Sequence, residues 1–247
     1  MMPGFILSVV FALWTLLPGA VNVPEGKTTY EVRYKWGVVD TRVANGVFTV
    51  TPDKWEGQSA YRAVATVRAT PFFRLFMADE YKLELFLSRE GALPLHCFSP
   101  LRTKGKECDY TLIYHQDTRQ LEAWTVSATE SIQRNYSLDD GAMDIFTLFY
   151  HVQCLDASTL EQGKPLSLKV VMPRSEAPAL LYYEGIDKEA VPGVVCHRYL
   201  LQFTGRGLME NRSGNTVHLW VSAGADGKLQ MLTVPLNNGV LMARIRK

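Results

Sequence analysis

Thr29–Trp36 reads TYEVRYKW, and its alternation decides the fold. Tyr30, Val32, Tyr34 and Trp36 fall on one side of an extended chain, and Glu31, Arg33 and Lys35 on the other. A period of two marks a strand with one face buried and one face wet. Antiparallel sheets commonly carry that pattern, whereas parallel sheets covered on both faces do not. Moving outward, Asn45-Gly46 lies between the apolar runs Val38–Ala44 and Val47–Val50 and predicts a type I′ hairpin. Tyr61–Ala69 is the next strand, after the turn-like Pro52-Asp53 and Glu56-Gly57. Alternation returns in Tyr81–Leu87, where Tyr81, Leu83, Leu85 and Leu87 oppose Lys82 and Glu84. Leu93–Ser99, a Lys104-Gly105 turn, Cys108–His115 and Gln120–Ser127 continue the series. Short strands separated by turns predict a β meander and not a chain of βαβ units. Pro71–Met77 (PFFRLFM) is unpatterned, and reads as a short helix or an aromatic plug.

One helix interrupts the strands. Its apolar stripe is Ile145, Phe146, Phe149 and Val152, and the spacing predicts a helix from about Asp140 to Leu155. Ser137 or Asp139 would cap it, with Asp140 and Asp144 at its positive end. After Gln162-Gly163-Lys164-Pro165, strands resume at Leu166–Met172, Ala179–Tyr183, Val194–Phe203, Val217–Ser222, Leu229–Pro235 and Val240–Arg246. Tyr81–Phe98 and Val217–Val234 echo one another: an alternating strand ending in Ser, a Gly-containing turn, and a returning strand. The expected fold is mainly β, with antiparallel curved sheets arranged as a sandwich or half-barrel and one central α-helix. Residues 27–247 form a single β-rich domain in this reading. A duplication would divide it into halves 27–130 and 164–247, joined by the helix at about 140–155.

The 247 residues carry 26 basic and 25 acidic side chains, a net charge of +1. That balance gives no electrostatic reason to expect nucleic acid or an anionic membrane surface as partner. Hydrophobic residues at 47% are enough for a sizeable core. Met1–Val23 holds no charged side chain, and Phe5–Leu17 (FILSVVFALWTLL) is almost unbroken apolar sequence. It is too short for the ~20 residues of a bilayer span and suits the ~7–15 of a secretory h-region, so residues 1–20 are expected to be a cleaved signal peptide. No integral membrane segment would remain after cleavage.

Four cysteines, Cys97, Cys108, Cys154 and Cys196, allow disulfides in an exported chain, with Cys97 and Cys108 the easiest pair to join across a hairpin. Buried thiols are the alternative. No phosphate loop, dinucleotide turn, nucleophile elbow or zinc helix occurs. His96-Cys97 and Cys196-His197 are sequence neighbours, which a strand points to opposite faces, so neither pair suits one metal. His151 and Cys154 share a helix face, but Asp144 stands ~10 Å from His151 at 1.5 Å per residue, too far to orient it. Asp79-Glu80 and Asp139-Asp140 fall at element ends, where acidic caps are ordinary. Asn135-Tyr136-Ser137 and Asn211-Arg212-Ser213 match glycosylation sequons. The aromatic side chains Tyr34, Trp36, Trp55, Phe72, Phe73, Phe76, Trp124, Tyr182, Tyr183 and Trp220 are either core or the lining of a cleft between curved sheets. No catalytic, cofactor-binding or metal-binding residue is assigned.

The order of features resembles a bacterial exported family known as domain of unknown function 3108. The likeness rests on TTYEVRYKWGVVDTRVANGVFTV at the start, the helix DIFTLFYHVQCLD, and VHLWVSAGADGKLQMLTVPLNNGVLMARI at the end. It covers about Lys27 to Lys247. The aspartate expected soon after Ser222 comes late, as Asp226, behind Ala223-Gly224-Ala225. The resemblance implies a periplasmic or secreted protein of a bacterial envelope, and no activity travels with it. The expected function is non-catalytic binding of an apolar, lipid or glycan ligand or of an envelope protein, without a cofactor. The strand plan also resembles that of envelope lipoprotein carriers, a likeness at fold level only. The rival readings are an envelope hydrolase acting on polysaccharide, and a structural protein that recruits partners at a strand edge.

Overall fold

A computed structural model describes residues 24–75, 80–90, 92–103, 106–172, 175–204, 216–224 and 226–246. The leader, Phe76 to Asp79 and the Asn211 sequon lie outside them. Before the helix come β1 (Gly26–Trp36), β2 (Val39–Trp55), β3 (Gln58–Ala69), β4 (Glu80–Ser88), β5 (Pro94–Thr103), β6 (Lys106–His115), β7 (Gln120–Ser127), β8 (Ser131–Ser137) and the short β9 (Ala142–Asp144). The helix α1 spans Ile145–Cys154. After it come β10 (Pro165–Met172), β11 (Ser175–Asp187), β12 (Cys196–Phe203), β13 (Thr216–Ser222), β14 (Leu229–Leu236) and β15 (Gly239–Ile245).

The fifteen strands of the described residues form one sheet, in the order β8-β7-β6-β5-β4-β3-β2-β1-β15-β14-β13-β12-β11-β10-β9. The meander expected from the turn spacing is present on both sides of the helix, and the first and last strands join the two runs through the antiparallel β1–β15 pair. The sheet curls into a nearly closed, barrel-like wall, which replaces the sandwich or half-barrel expected from the alternation. Its two ends are linked by the chain itself: from β8 a 3₁₀ turn at Leu138–Asp140 leads into β9, which pairs in parallel with β10. Among the described residues, no helix is long and apolar enough to cross a membrane.

Two local expectations fail for identifiable reasons. The Asn45-Gly46 turn does not exist, because β2 runs straight through it. Gly46 faces inward, and a Cβ there would stand 3.4 Å from the Tyr30 Cβ and 3.5 Å from the Phe48 ring. The glycine serves a close approach inside a strand. The left-handed pair of a type I′ turn is instead Glu56 (φ 48°) and Gly57 (φ 83°). The helix also begins later than its acidic residues suggest. Ser137 accepts from the Asp139 amide at 3.2 Å, which caps only the 3₁₀ turn, and Gly141 (φ 68°) ends that turn. Two further strands, β8 and β9, carry no clear alternation and have no counterpart in the sequence reading. Most of β8 is exposed, whereas β9 is buried throughout.

The core lies inside the wall, on both sides of α1. One cluster joins Leu83, Leu85, Leu87, Leu112 and Leu121 with Tyr150, and Phe146 and Cys154 pack on it. A second joins Leu168, Leu181, Tyr199, Leu201 and Leu219 with Leu148 and Val152 of the helix, and Ile145 and Phe149 pack there. A helix apolar around its circumference belongs in an interior. A sheet this wide cannot fill its lumen with its own side chains, since about eight strands is the size at which they do. The helix takes that space.

Candidate functional site

The helix is held by one carboxylate. Asp144 is 2% exposed and ends β9 as the N-cap of α1. Its Oδ1 accepts from the Phe146 amide at 2.8 Å and the Thr147 amide at 3.1 Å. Its Oδ2 accepts from the Tyr114 hydroxyl of β6 at 2.8 Å and from the Thr147 hydroxyl. The Asp144 amide in turn donates to the Tyr114 hydroxyl at 3.2 Å. Thus a single side chain satisfies the first turn of the helix and ties it to the wall. Burial and the nearby Asp144 carboxylate push the Tyr114 phenol and the Cys97 thiol far above their ordinary ranges, so both stay protonated and able to donate.

Between this helix and the β1 side of the wall lies an apolar cavity of about 200 Å³. Alternate residues of β1 face it (Thr28, Tyr30 and Val32), as do Gly46, Phe48 and Val50 of β2. Phe146, Phe149 and Tyr150 of α1 form the opposite side, with Leu229, Leu232 and Ala243 closing it. Among the described residues, the lining contains no carboxylate, and its lone charged side chain is Lys228. The start of β14 is pinned at the edge of this space. The Tyr30 hydroxyl donates to the Leu229 carbonyl at 2.7 Å, and the Leu229 amide donates to Gln153 Oε1 of the helix at 2.9 Å. Tyr30 and Phe48 meet edge to face at 5.1 Å. The cavity walls are therefore set by hydrogen bonds as well as packing.

Among the described residues, the aromatic side chains singled out in the sequence do not line this space. Trp36 and Phe72 are exposed. Trp55 stacks on His96 at 4.3 Å, and Trp124 donates to Glu122. Trp220 donates to Asp187 at 2.9 Å, and Tyr183 packs near His197 and Tyr199. The lining aromatics, Tyr30 and Phe48, were legible as the inward half of the opening alternation. Phe146 and Phe149 were already in the helix stripe.

No disulfide joins the described cysteines. Cys97 is paired in register with Leu112 and Cys108 with Leu101, four residues apart along β5 and β6, or ~13 Å at ~3.3 Å per residue, beyond disulfide reach. Burial pushes the Cys154 thiol up to about 12 and the Cys196 thiol up to about 11, so neither is poised as a nucleophile. His151 is partly exposed as a residue, but its Nε2 is buried without a hydrogen-bond partner among the described residues, and burial lowers its pKa to about 4. The acidic pair Asp139 and Asp140 is spent on Arg119 and Lys169, and Glu80 accepts from Arg68. Among the described residues, no group of three or more His, Cys, Asp or Glu could hold a metal ion.

These features define a barrel-like β protein with an internal helix and an apolar cavity beside it. The chain belongs to the family described as "Protein of unknown function (DUF3108)", whose model matches residues 29–246. Among solved structures it is similar to a β-barrel-like protein of domain of unknown function DUF1849 from Brucella abortus. That likeness has a TM-score of 0.59 at 8% identity and covers 92% of this chain and 98% of the other, so it speaks for the fold alone. No curated protein matches.

Removing the Asp144 carboxylate leaves the Tyr114 and Thr147 hydroxyls and two amides without their acceptor. Asp144→Ala should cost about 3 kcal/mol in chemical denaturation, against about 1 kcal/mol for Tyr114→Phe. The buried His151 gives a pH signature. Its folded pKa is depressed, so its contribution is complete above the unfolded value of ~6.5 and is lost as pH falls toward about 4. Melting temperature should drop between pH 6.5 and pH 4, and His151→Leu should flatten that part of the profile.

Proposed function

We propose that this protein is an exported, non-catalytic carrier of a bacterial cell envelope that shelters a small apolar ligand between α1 and the β1–β2 wall. The cavity carries this reading. Its lining is apolar and its volume is about 200 Å³. An apolar ligand seated there would leave water at a gain of about 25 cal/mol per Å² of its buried surface. The volume falls between the ~150 Å³ that admits benzene and the ~300 Å³ at which drug-sized pockets begin. One ring or one short alkyl chain suits it. A hydrolase of polysaccharide would need paired carboxylates at its cleft, and the described residues of this lining include none. Export rests on the apolar leader Phe5–Leu17.

One purification tests both parts. Protein expressed with its leader in a Gram-negative host should be recovered from the periplasmic fraction, with its first residue beyond about position 20. Gentle native mass spectrometry should show an added mass that organic extraction removes. Ala243→Phe, which fills the cavity, should keep the fold and lose that mass. Recovery from the cytosol with the leader intact would overturn the localisation, and a ligand retained by Ala243→Phe would overturn the site.

A further inference from the structure

The cavity has a polar neighbour. Outside the rim, between the end of β15 and the loops before β12 and β14, lies an open cleft lined by Lys27, Lys228, Arg246 and Asp226, among other residues. Thr28 and Lys228 border both spaces. The Thr28 position follows from strand geometry: even residues of β1 face the lumen, odd ones face outward, and the cleft begins where the strand does. Ser222 donates to Asp226, so this carboxylate is engaged in closing the β13–β14 loop. The same serine receives the Lys228 amide at 2.9 Å, which fixes where the Lys228 backbone stands. Among the described residues, three cations therefore gather beside the apolar chamber, and the one acid with them is already a hydrogen-bond acceptor.

Resting on the carrier reading above, we propose that the ligand is a single-chain amphiphile with an anionic head, its tail inside the cavity and its head in the cleft at Lys27, Lys228 and Arg246. An apolar tail gains by leaving water, and its head does not, so a chamber that opens beside a cationic cleft suits both ends at once. Lys228 is the positioning group, because it touches both compartments. Lys27 and Arg246 are exposed and add to the field more than to the fit.

Octanoate and 1-octanol, which share a chain length and differ in the head, are the probes, measured by calorimetry on ligand-stripped protein at low ionic strength. Octanoate should bind about five- to tenfold more tightly than octanol. The combined variant Lys27→Gln, Lys228→Gln, Arg246→Gln should erase that advantage, so that the two probes bind alike. Ala243→Phe should abolish both. Equal binding of the two probes to the wild type would overturn the anionic-head inference while leaving the carrier reading intact. Failure of both probes to bind would overturn the carrier reading for alkyl ligands, and this inference with it.

Discussion

A buried carboxylate at the head of the helix is the constraint from which the architecture follows. A ten-residue helix has little stability of its own in water, since isolated helices of fewer than about 12–15 residues are marginal. This one exists because Asp144 satisfies its first amides and because the wall supplies Tyr114 as a donor to the same group. The carboxylate is affordable inside the protein only because each oxygen is hydrogen-bonded. At the other end, Gln153 reaches the Leu229 amide, so the helix is fastened to the wall at both ends and through opposite runs of the sheet.

The fastening also shapes the empty space. α1 divides the lumen into two packed clusters, yet its Phe146 and Phe149 side does not meet β1 closely. Gly46, which has no side chain to offer, and the small Ala243 widen the gap. The two echoing hairpins close in the same manner. Ser88 and Ser222 each use the hydroxyl to accept an amide from across the loop, Leu93 at 3.0 Å and Lys228 at 2.9 Å. Each backbone amide returns a bond to the same residue, at 2.8 Å and 2.9 Å. Both loops then border the C-terminal part of α1, one through Leu93 and Pro94 near His151, the other through Leu229. A shared local device thus closes both loops beside the helix, and the second is also bonded to it through Gln153.

Strand alternation was readable wherever one face met the core and the other met water, as in β1, β4 and β7. It failed at β8, most of which is exposed, and at β9, which is buried throughout its three residues. The Asn45-Gly46 signal was misleading because a glycine chosen for close approach inside a strand looks the same in sequence as one chosen for a turn. The helix was recognised from its apolar side chains, but its start was placed on Ser137 and Asp139 when the deeper Asp144 was the cap. The identity of that cap depends on Tyr114, thirty residues earlier, which no local pattern reveals. The cavity was legible only in part: its β1 and helix residues lay in recognisable periodic runs, whereas Lys228, Leu232 and Ala243 join them through the β1–β15 closure.

The most direct test of the central claim, that a tethered helix leaves a permanent apolar chamber inside the wall, is a xenon-pressurised crystal of the ligand-free protein. Apolar cavities of this size take up xenon. The account predicts a xenon peak bounded by Tyr30, Phe48, Phe149 and Leu232, with Asp144 still bonded to Tyr114. A chamber collapsed by inward movement of α1, with no xenon between these side chains, would contradict it.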